Sequence, residues 1–385
     1  MIRGRVLALL PGSVIGAALV VRLFDEWWSY LPAGIVDDLH RDLGVSYAGA
    51  GWLLSLLTLG ALVGSPLALM ADHVDRRLCA VGGAVVIAAC LAAYALGAPF
   101  WVLVIATSLL GTASDLLVES IEASLSELPE ERLDRVLGRQ HALSSVGDLL
   151  GPALLALGAS TPLGWRGAFA STAAAMLAYA LYLATVPFPA PQDAAGSMRE
   201  IVAEAIVIGR RRDVRRLAVL EMLISPLDEP LLAFVVARAA AGGRAEGIAQ
   251  ILAVAVMVGG LGGSLLVGRI GISERTRRIG PLVLLAGTVV SVAMPSVVAG
   301  TLGMVGVGGG MAIVWADVHL RSLTVVPGRA ATVSTVIGTI GSAAAFAPVL
   351  SGTLADRGGL TAGLTVYVVV AAAIVFVVRG VEPMS

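Results

Sequence analysis

The sequence predicts an all-α membrane protein: twelve transmembrane helices in two pseudo-symmetric six-helix bundles. Three observations predict it. First, 57% of the 385 residues are hydrophobic, only 14% are charged and mean hydropathy is +0.90, whereas a soluble domain carries about 25% charged residues. Second, apolar runs recur at the roughly 20-residue length that spans a bilayer. Third, arginines gather in alternate loops, the signature that orients a multi-span chain.

The spans follow in order. Span 1 runs near 8–36, and Met1–Val21 is read as its uncleaved first half, because apolar sequence resumes after a short charged patch. Spans 2 and 3 (47–70, 78–97) are joined by the charged turn at Asp72–Arg77, and the turn Gly97-Ala98-Pro99 leads into span 4 (100–124). Span 5 (139–159) follows Arg132 and Arg135, and span 6 (167–188) follows Gly164-Trp165-Arg166. The longest non-membrane stretch, 189–215, holds Arg199, Arg210, Arg211, Arg212 and Arg215 and reads as a cytoplasmic linker. Spans 7 to 12 run near 216–238, 247–268, 279–297, 299–320, 330–352 and 361–379, with a tight turn at Met294-Pro295-Ser296. This divides the chain into an N-terminal bundle (1–188), the linker (189–215) and a C-terminal bundle (216–385). Glycine-rich runs such as Gly259–Gly263 and Gly308–Gly310 read as close helix packing. They are not a phosphate loop, because the chain has no lysine at all.

Orientation comes from arginine counting. With the N-terminus inside, alternate loops carry Arg76, Arg77, Arg132, Arg135, Arg139, Arg269, Arg275, Arg277, Arg278, Arg321 and Arg329, against Arg41, Arg166, Arg238, Arg244 and Arg357 on the other side. Both termini are therefore expected in the cytoplasm, and the chain in a bacterial-type inner membrane. A net charge of −1 gives no reason for a nucleic-acid partner. The two cysteines, Cys79 and Cys90, fall in one apolar stretch and support neither a disulfide framework nor a thiolate metal site. Membrane lipid is the expected surrounding, and a monomer the expected state.

The halves echo each other. Asp25-Glu26 in span 1 matches Asp228-Glu229 in span 7, and Glu119, ten residues before Pro129, matches Asp317, ten before Pro327. With its six-plus-six architecture and central loop, the chain resembles the major facilitator superfamily (MFS). Ala68–Arg77 is similar to that family's Gly-x-x-x-Asp-Arg-x-Gly-Arg-Lys loop: Asp72, Arg76 and Arg77 fit, while Ala68, His73 and Asp75 depart. The resemblance implies a conformational latch for Asp72 and Arg76. Gly147-Asp148-Leu149-Leu150-Gly151-Pro152 resembles the Gly-x-x-x-Gly-Pro motif of drug–proton antiporters, and Gly164–Phe169 the Trp-Arg-x-x-Phe opening of the sixth helix. The helix 4 arginine of proton-coupled members is replaced by Thr107.

Carboxylates inside apolar spans carry the chemistry. A charged side chain at the bilayer centre costs roughly 2.5–3.5 kcal/mol or more, so it faces a wet cavity, pairs or takes a proton. The expected substrate and proton residues are Arg22, Asp25, Glu26, Trp27, Tyr30, Asp115, Glu119, Glu221, Asp228, Glu229 and Asp317. Arg22 stands at ion-pair spacing before Asp25 and Glu26. Asp115, Glu119 and Glu122 share one helix face, with Glu122 expected at a solvated end. Pro226 and Pro230 flank Asp228-Glu229, predicting a broken helix of the kind that marks transporter sites. Trp27, Trp28 and Tyr30 read either as cation–π walls or as an interfacial belt. His319 is expected to be solvated, and His40, His73 and His141 to sit in loops or at helix ends.

The expected function is secondary transport: proton-coupled export of a cationic or amphipathic small molecule by alternating access, without a cofactor other than the proton. A divalent-cation transporter using acids of spans 1, 4, 7 and 10 is the alternative. An enzyme is not expected, because no Ser–His–Asp or Cys–His grouping stands out.

Overall fold

The computed structural model describes residues 13–70, 75–125, 130–188, 198–242, 246–294, 296–326 and 330–379. Sixteen α-helices and two 3-10 turns account for nearly all of them. In chain order the helices are α1 (Val14–Gly34), α2 (Val36–Leu43), α3 (Tyr47–Met70), α4 (Arg76–Ala95), α5 (Phe100–Ala123), α6 (Glu130–Gly158), α7 (Trp165–Leu183) and α8 (Met198–Gly209). There follow α9 (Arg212–Ile224), α10 (Glu229–Ala241), α11 (Glu246–Ile270), α12 (Glu274–Ala293), α13 (Val297–Thr324), α14 (Ala330–Gly341), α15 (Phe346–Gly358) and α16 (Leu360–Arg379). Among the described residues, seven helices are long and apolar enough to cross a membrane by length and composition. Each of the twelve spans read from the sequence coincides with one helix or with a helix broken in two.

The chain forms two compact units, Met1–Pro32 with Leu56–Ala195, and Ala33–Ser55 with Gly196–Ser385. In the first, α4 packs against both α5 and α7. The α3–α5 contact is made by a reciprocal glycine pair. A Cβ on Gly60 would lie 2.2 Å from the Ser108 carbonyl oxygen, and one on Gly111 would lie 2.0 Å from that of Leu57. Backbones that close leave no room for side chains, and Thr112 Oγ1 adds a 2.9 Å bond to the Gly60 carbonyl. In the second unit, α13 packs against α11 and α12. The α11–α13 contact repeats the device: a Cβ on Gly259 would meet Val305 O at 2.1 Å, and one on Gly308 would meet Val256 O at 1.9 Å. The internal repeat is thus legible in backbone packing.

Four local outcomes differ from the sequence reading. The loop after span 1 contains the helix α2, whose Val36 and Leu39 are buried. Residues Ala33–Ser55 group with the second unit because the first turns of α3 lie against α15. There Asp356 accepts the Tyr47 and Ala48 N–H groups at 2.9 Å each, and Gly51 and Gly352 are in backbone contact with Pro348 and Tyr47. The stretch expected to be a linker contains α8, whose Ile208 joins a core with Val214, Leu217, Val333 and Val336. Finally, span 11 is broken like span 7. A 3-10 turn at Ser342–Ala345 separates α14 from α15, and Pro348 gives Ala344 O no helical donor.

Candidate functional site

The first unit gathers its acids around α1. Asp25 and Glu26 are adjacent, so a helix turns their side chains about 100° apart, and they reach different neighbours. Ser114 of α5 donates to Asp25 Oδ1 at 2.5 Å, and Ser144 of α6 donates to Glu26 Oε1 at 2.9 Å. Arg22 lies one turn earlier. Its Nε and Nη2 meet Glu122 of α5 at 2.8 and 2.6 Å, whereas its Nη1 stands 3.5 Å from Asp25. The sequence spacing suggested that Arg22 chiefly neutralises an acid on its own helix. The structure gives its shorter contacts to Glu122, because the long arginine arm spans the α1–α5 contact. Glu122 is therefore half-buried and paired rather than merely solvated.

On the same face of α5, Asp115 is half-buried and Glu119 is exposed. Thr107, two turns above Asp115, is fully buried, donates to Leu103 O and shares a 2.5 Å hydrogen bond with Tyr94. It ties α4 to α5 and offers no free polar group. Trp27 stacks on Phe24 at 5.3 Å, and Phe24 on Tyr179 at 5.0 Å. Trp28 and Tyr30 are buried at 2% and 1% exposure, so of the three aromatics only Trp27 retains access. Tyr30 instead fills the notch left by Gly151, where a Cβ would stand 2.9 Å from its ring; a Cβ on Gly147 would stand 2.4 Å from Leu23 O. The two motif glycines are thus the surface on which α6 meets α1, with half-buried Asp148 beside them and buried Pro152 continuing the helix. Arg76 is buried at the first residue of α4, and Asp75, which departs from the family loop, caps that helix by accepting the Arg77 N–H at 2.9 Å. Asp72, the other half of the expected latch, lies outside the described residues, as do His73, Pro129, Arg244, Pro295, Pro327 and Arg329.

The second unit carries the other acids. Span 7 is broken as expected: α9 ends at Ile224, a 3-10 turn covers Ser225–Leu227, and α10 begins at Glu229. Pro226 and Pro230 have no N–H, so the carbonyls of Met222 and Pro226 lack their usual helical donors. Asp228 occupies the N-cap of α10 and is exposed, while Glu229 and Glu221 are half-buried. Gly341, at the second break, lies against Glu221, where a Cβ would meet its Cγ at 3.0 Å. The two interrupted spans therefore run side by side.

Asp317 has a different environment from Glu119, its counterpart in the sequence echo. It is 7% exposed and bound by Arg277 at 2.7 Å and Arg321 at 3.1 Å. Sequence reasoning put those arginines in loops, but Ser273 and Thr276 form a capping box that starts α12 before Arg277, and α13 runs past Arg321. Arg238, also read as a loop residue, binds the carbonyls of Ser291 and Val292 at the C-terminal end of α12, where helix carbonyls lack partners. His319 is exposed and stacks on Trp315; His40 is exposed and stacks on Tyr47. Ser114 and Ser144 were missed by sequence reasoning. Hydroxyls in apolar helices are common, and only the helix contacts reveal which of them reach an acid. The alternative of a divalent-cation cage finds no support: among the described residues, no group of three or more His, Cys, Asp or Glu side chains is placed to hold a metal ion.

Residues 16–243 match the family model of the Major Facilitator Superfamily. A search of curated proteins finds no match. Among solved structures the chain is similar to a D-xylose–proton symporter (TM-score 0.77, 16% identity, 96% of this chain and 97% of that one). It is also similar to a mutant of the nucleoside transporter NupG (0.76, 15%, 95% and 98%). A third is a bacterial homologue of the human lysosomal transporter Spinster in an inward-facing, occupied conformation (0.75, 15%, 96% and 97%). At these identities the likeness is one of fold.

Proposed function

The chain belongs to the Major Facilitator Superfamily, and from that premise we propose that it couples proton movement to the export of a small cationic or amphipathic solute, with Asp25 and Glu26 as the proton-exchange site. As a member of that family it is a multi-pass membrane transporter rather than an enzyme, and it needs no cofactor.

The observation that carries the proposal is the way the α1 acids are held. Each takes a hydroxyl hydrogen bond, and the short contacts of the neighbouring arginine go to Glu122. Asp25, whose 2.5 Å bond from Ser114 is shorter than its 3.5 Å approach to Arg22, changes protonation more readily than a carboxylate locked to a guanidinium. It binds a cation when charged and releases it when protonated. Among the described residues of α1, two acids stand against one arginine, which favours a positive solute. Glu221, Asp228 and Glu229, beside the break in span 7, form a second acidic group for solute binding. Asp317 is left out of this site because two arginines hold it. Alternating access around the bound solute is the transport cycle, in an inner membrane with both termini in the cytoplasm.

The test is transport in proteoliposomes under an imposed pH gradient, with tetraphenylphosphonium and ethidium as cationic probes and xylose and uridine as neutral ones. The doubly neutralised D25N/E26Q protein is expected to lose gradient-driven movement of the cations. Unchanged movement in that variant removes the pair from the mechanism, and movement of the neutral probes alone removes the cationic substrate class.

A further inference from the structure

Among the described residues, one end of the second unit sets two arginines against one carboxylate. Arg277, in the second turn of α12, and Arg321, near the end of α13, both bind the one carboxylate of Asp317. The three side chains are 19%, 7% and 9% exposed, so a net positive charge sits in a largely buried place. Both hydrogen bonds run through Nε. In each pair Nε makes the shortest contact, and the Nη groups, the outer forks that grip oxyanions in bidentate fashion, lie farther from Asp317. Among the described residues no second carboxylate pairs with either arginine, and the acid nearest in sequence, Glu274, is taken by Arg278 on the exposed side. Arg321 lies in the last turn of α13, at the negative end of that helix's dipole, but more arginines stand near Arg277. Arg269, Arg275 and Arg278 stand exposed around the turn before α12, and the positive end of that helix's dipole lies at its first turn.

We propose that Arg277 and Arg321 form a receptor for a phosphate oxyanion, with Asp317 as the strut that holds both guanidiniums. Arginine counting assigns this end to the cytoplasmic face. There an anionic phospholipid headgroup presents a phosphate at the membrane surface, and free phosphate in the cytosol offers the same chemistry. Asp317 is a positioning residue whose negative charge offsets that of the two guanidiniums and repels an anion, so neutralising it strengthens anion binding.

The experiment measures thermal stability of the full-length protein in two arms. In nanodiscs, phosphatidylcholine is compared with mixtures containing increasing phosphatidylglycerol. In detergent, inorganic phosphate is titrated against chloride at constant ionic strength. The native protein is expected to be stabilised in at least one arm, and R277Q and R321Q to shift the midpoint to roughly tenfold higher anion, the loss of one charge-assisted contact. D317N, which keeps the side-chain shape, is expected to shift it several-fold lower. Because R321Q removes a buried side chain, R277Q and D317N decide the matter if R321Q does not fold. A response confined to the headgroup arm supports the lipid as the source, and one to inorganic phosphate supports the free anion. No response in either arm, a response unaltered by R277Q, or weaker binding by folded D317N overturns the proposal. None of these readouts involves transport, so the result stands apart from the fate of the proton-exchange site.

Discussion

Arg22 shows how much a single side chain's choice of partner decides. Its spacing to Asp25 is that of an intrahelical pair, yet its 2.6 Å contact is to Glu122, a hundred residues away, and Asp25 stands at 3.5 Å. The pair is 33% and 27% exposed, so removing Arg22 costs less than the 3–5 kcal/mol of a fully buried pair; about 2 kcal/mol is expected. The R22Q variant is expected to melt several degrees lower in detergent, and R22Q/E122Q to recover most of that loss, since the stranded carboxylate is gone. Failure of the double variant to recover would show that Glu122 is not the principal partner. The partner itself was not legible in the sequence. Helical spacing names neighbours within one helix, and a contact between α1 and α5 depends on how those helices pack. The same holds for the serines that meet Asp25 and Glu26.

At the scale of the element, glycine and proline carry opposite tasks. The reciprocal pairs Gly60/Gly111 and Gly259/Gly308 let helix backbones touch. Gly308→Ala puts a methyl where 1.9 Å separates it from Val256 O, and overpacking of that kind costs about 1–3 kcal/mol. Gly262, one residue short of the contacting Gly263 on α11, has nothing within 4 Å of its Cβ position. The melting temperature is expected to fall in G111A and G308A and to hold or rise in G262A; equal effects would deny the close approach. The prolines of span 7 act by subtraction. Replacing Pro226 and Pro230 by alanine restores two backbone donors, so P226A/P230A is expected to raise stability while slowing transport through loss of the break beside Asp228 and Glu229. A variant transporting at the native rate would reduce the break to a structural detail. The Pro-Leu-Asp-Glu-Pro run made this break readable, whereas the break in span 11 was not foreseen. Only one proline, Pro348, lies there, past the turn, and Gly341 and Ser342 are ordinary residues in a glycine-rich membrane chain.

For the whole molecule, the reading of two six-span halves rests on hydropathy and arginine placement, and its topology is open to direct test. Asp213 and Asp42 are both at the surface-facing ends of their elements: Asp213 is exposed in the first turn of α9, and Asp42 lies in the last turn of α2. The arginine count puts them on opposite sides of the membrane. In a background lacking Cys79 and Cys90, D213C is expected to react with a membrane-impermeant maleimide only from the cytoplasmic side, and D42C only from the other. Labelling of both from one side would contradict the five crossings that spans 2 to 6 place between them.

The sequence by itself determined the solvent, the span count, the expected orientation and the family resemblance. Each of these follows from properties that survive without coordinates: the length of an apolar run, the sign of a loop's charge, the residue order of a motif. Only the tertiary structure decided which acid each arginine serves, that Ala33–Ser55 groups with the second unit, that α8 docks its Ile208 into a core, and that Asp317 lies in an arginine clamp while Glu119 is exposed. The physical reason is common to all four. In a membrane chain most helices are apolar on every side, so composition does not say which face meets which neighbour. That choice is made where glycines let backbones close in, where prolines interrupt the ladder, and where a long guanidinium reaches across a contact to a carboxylate.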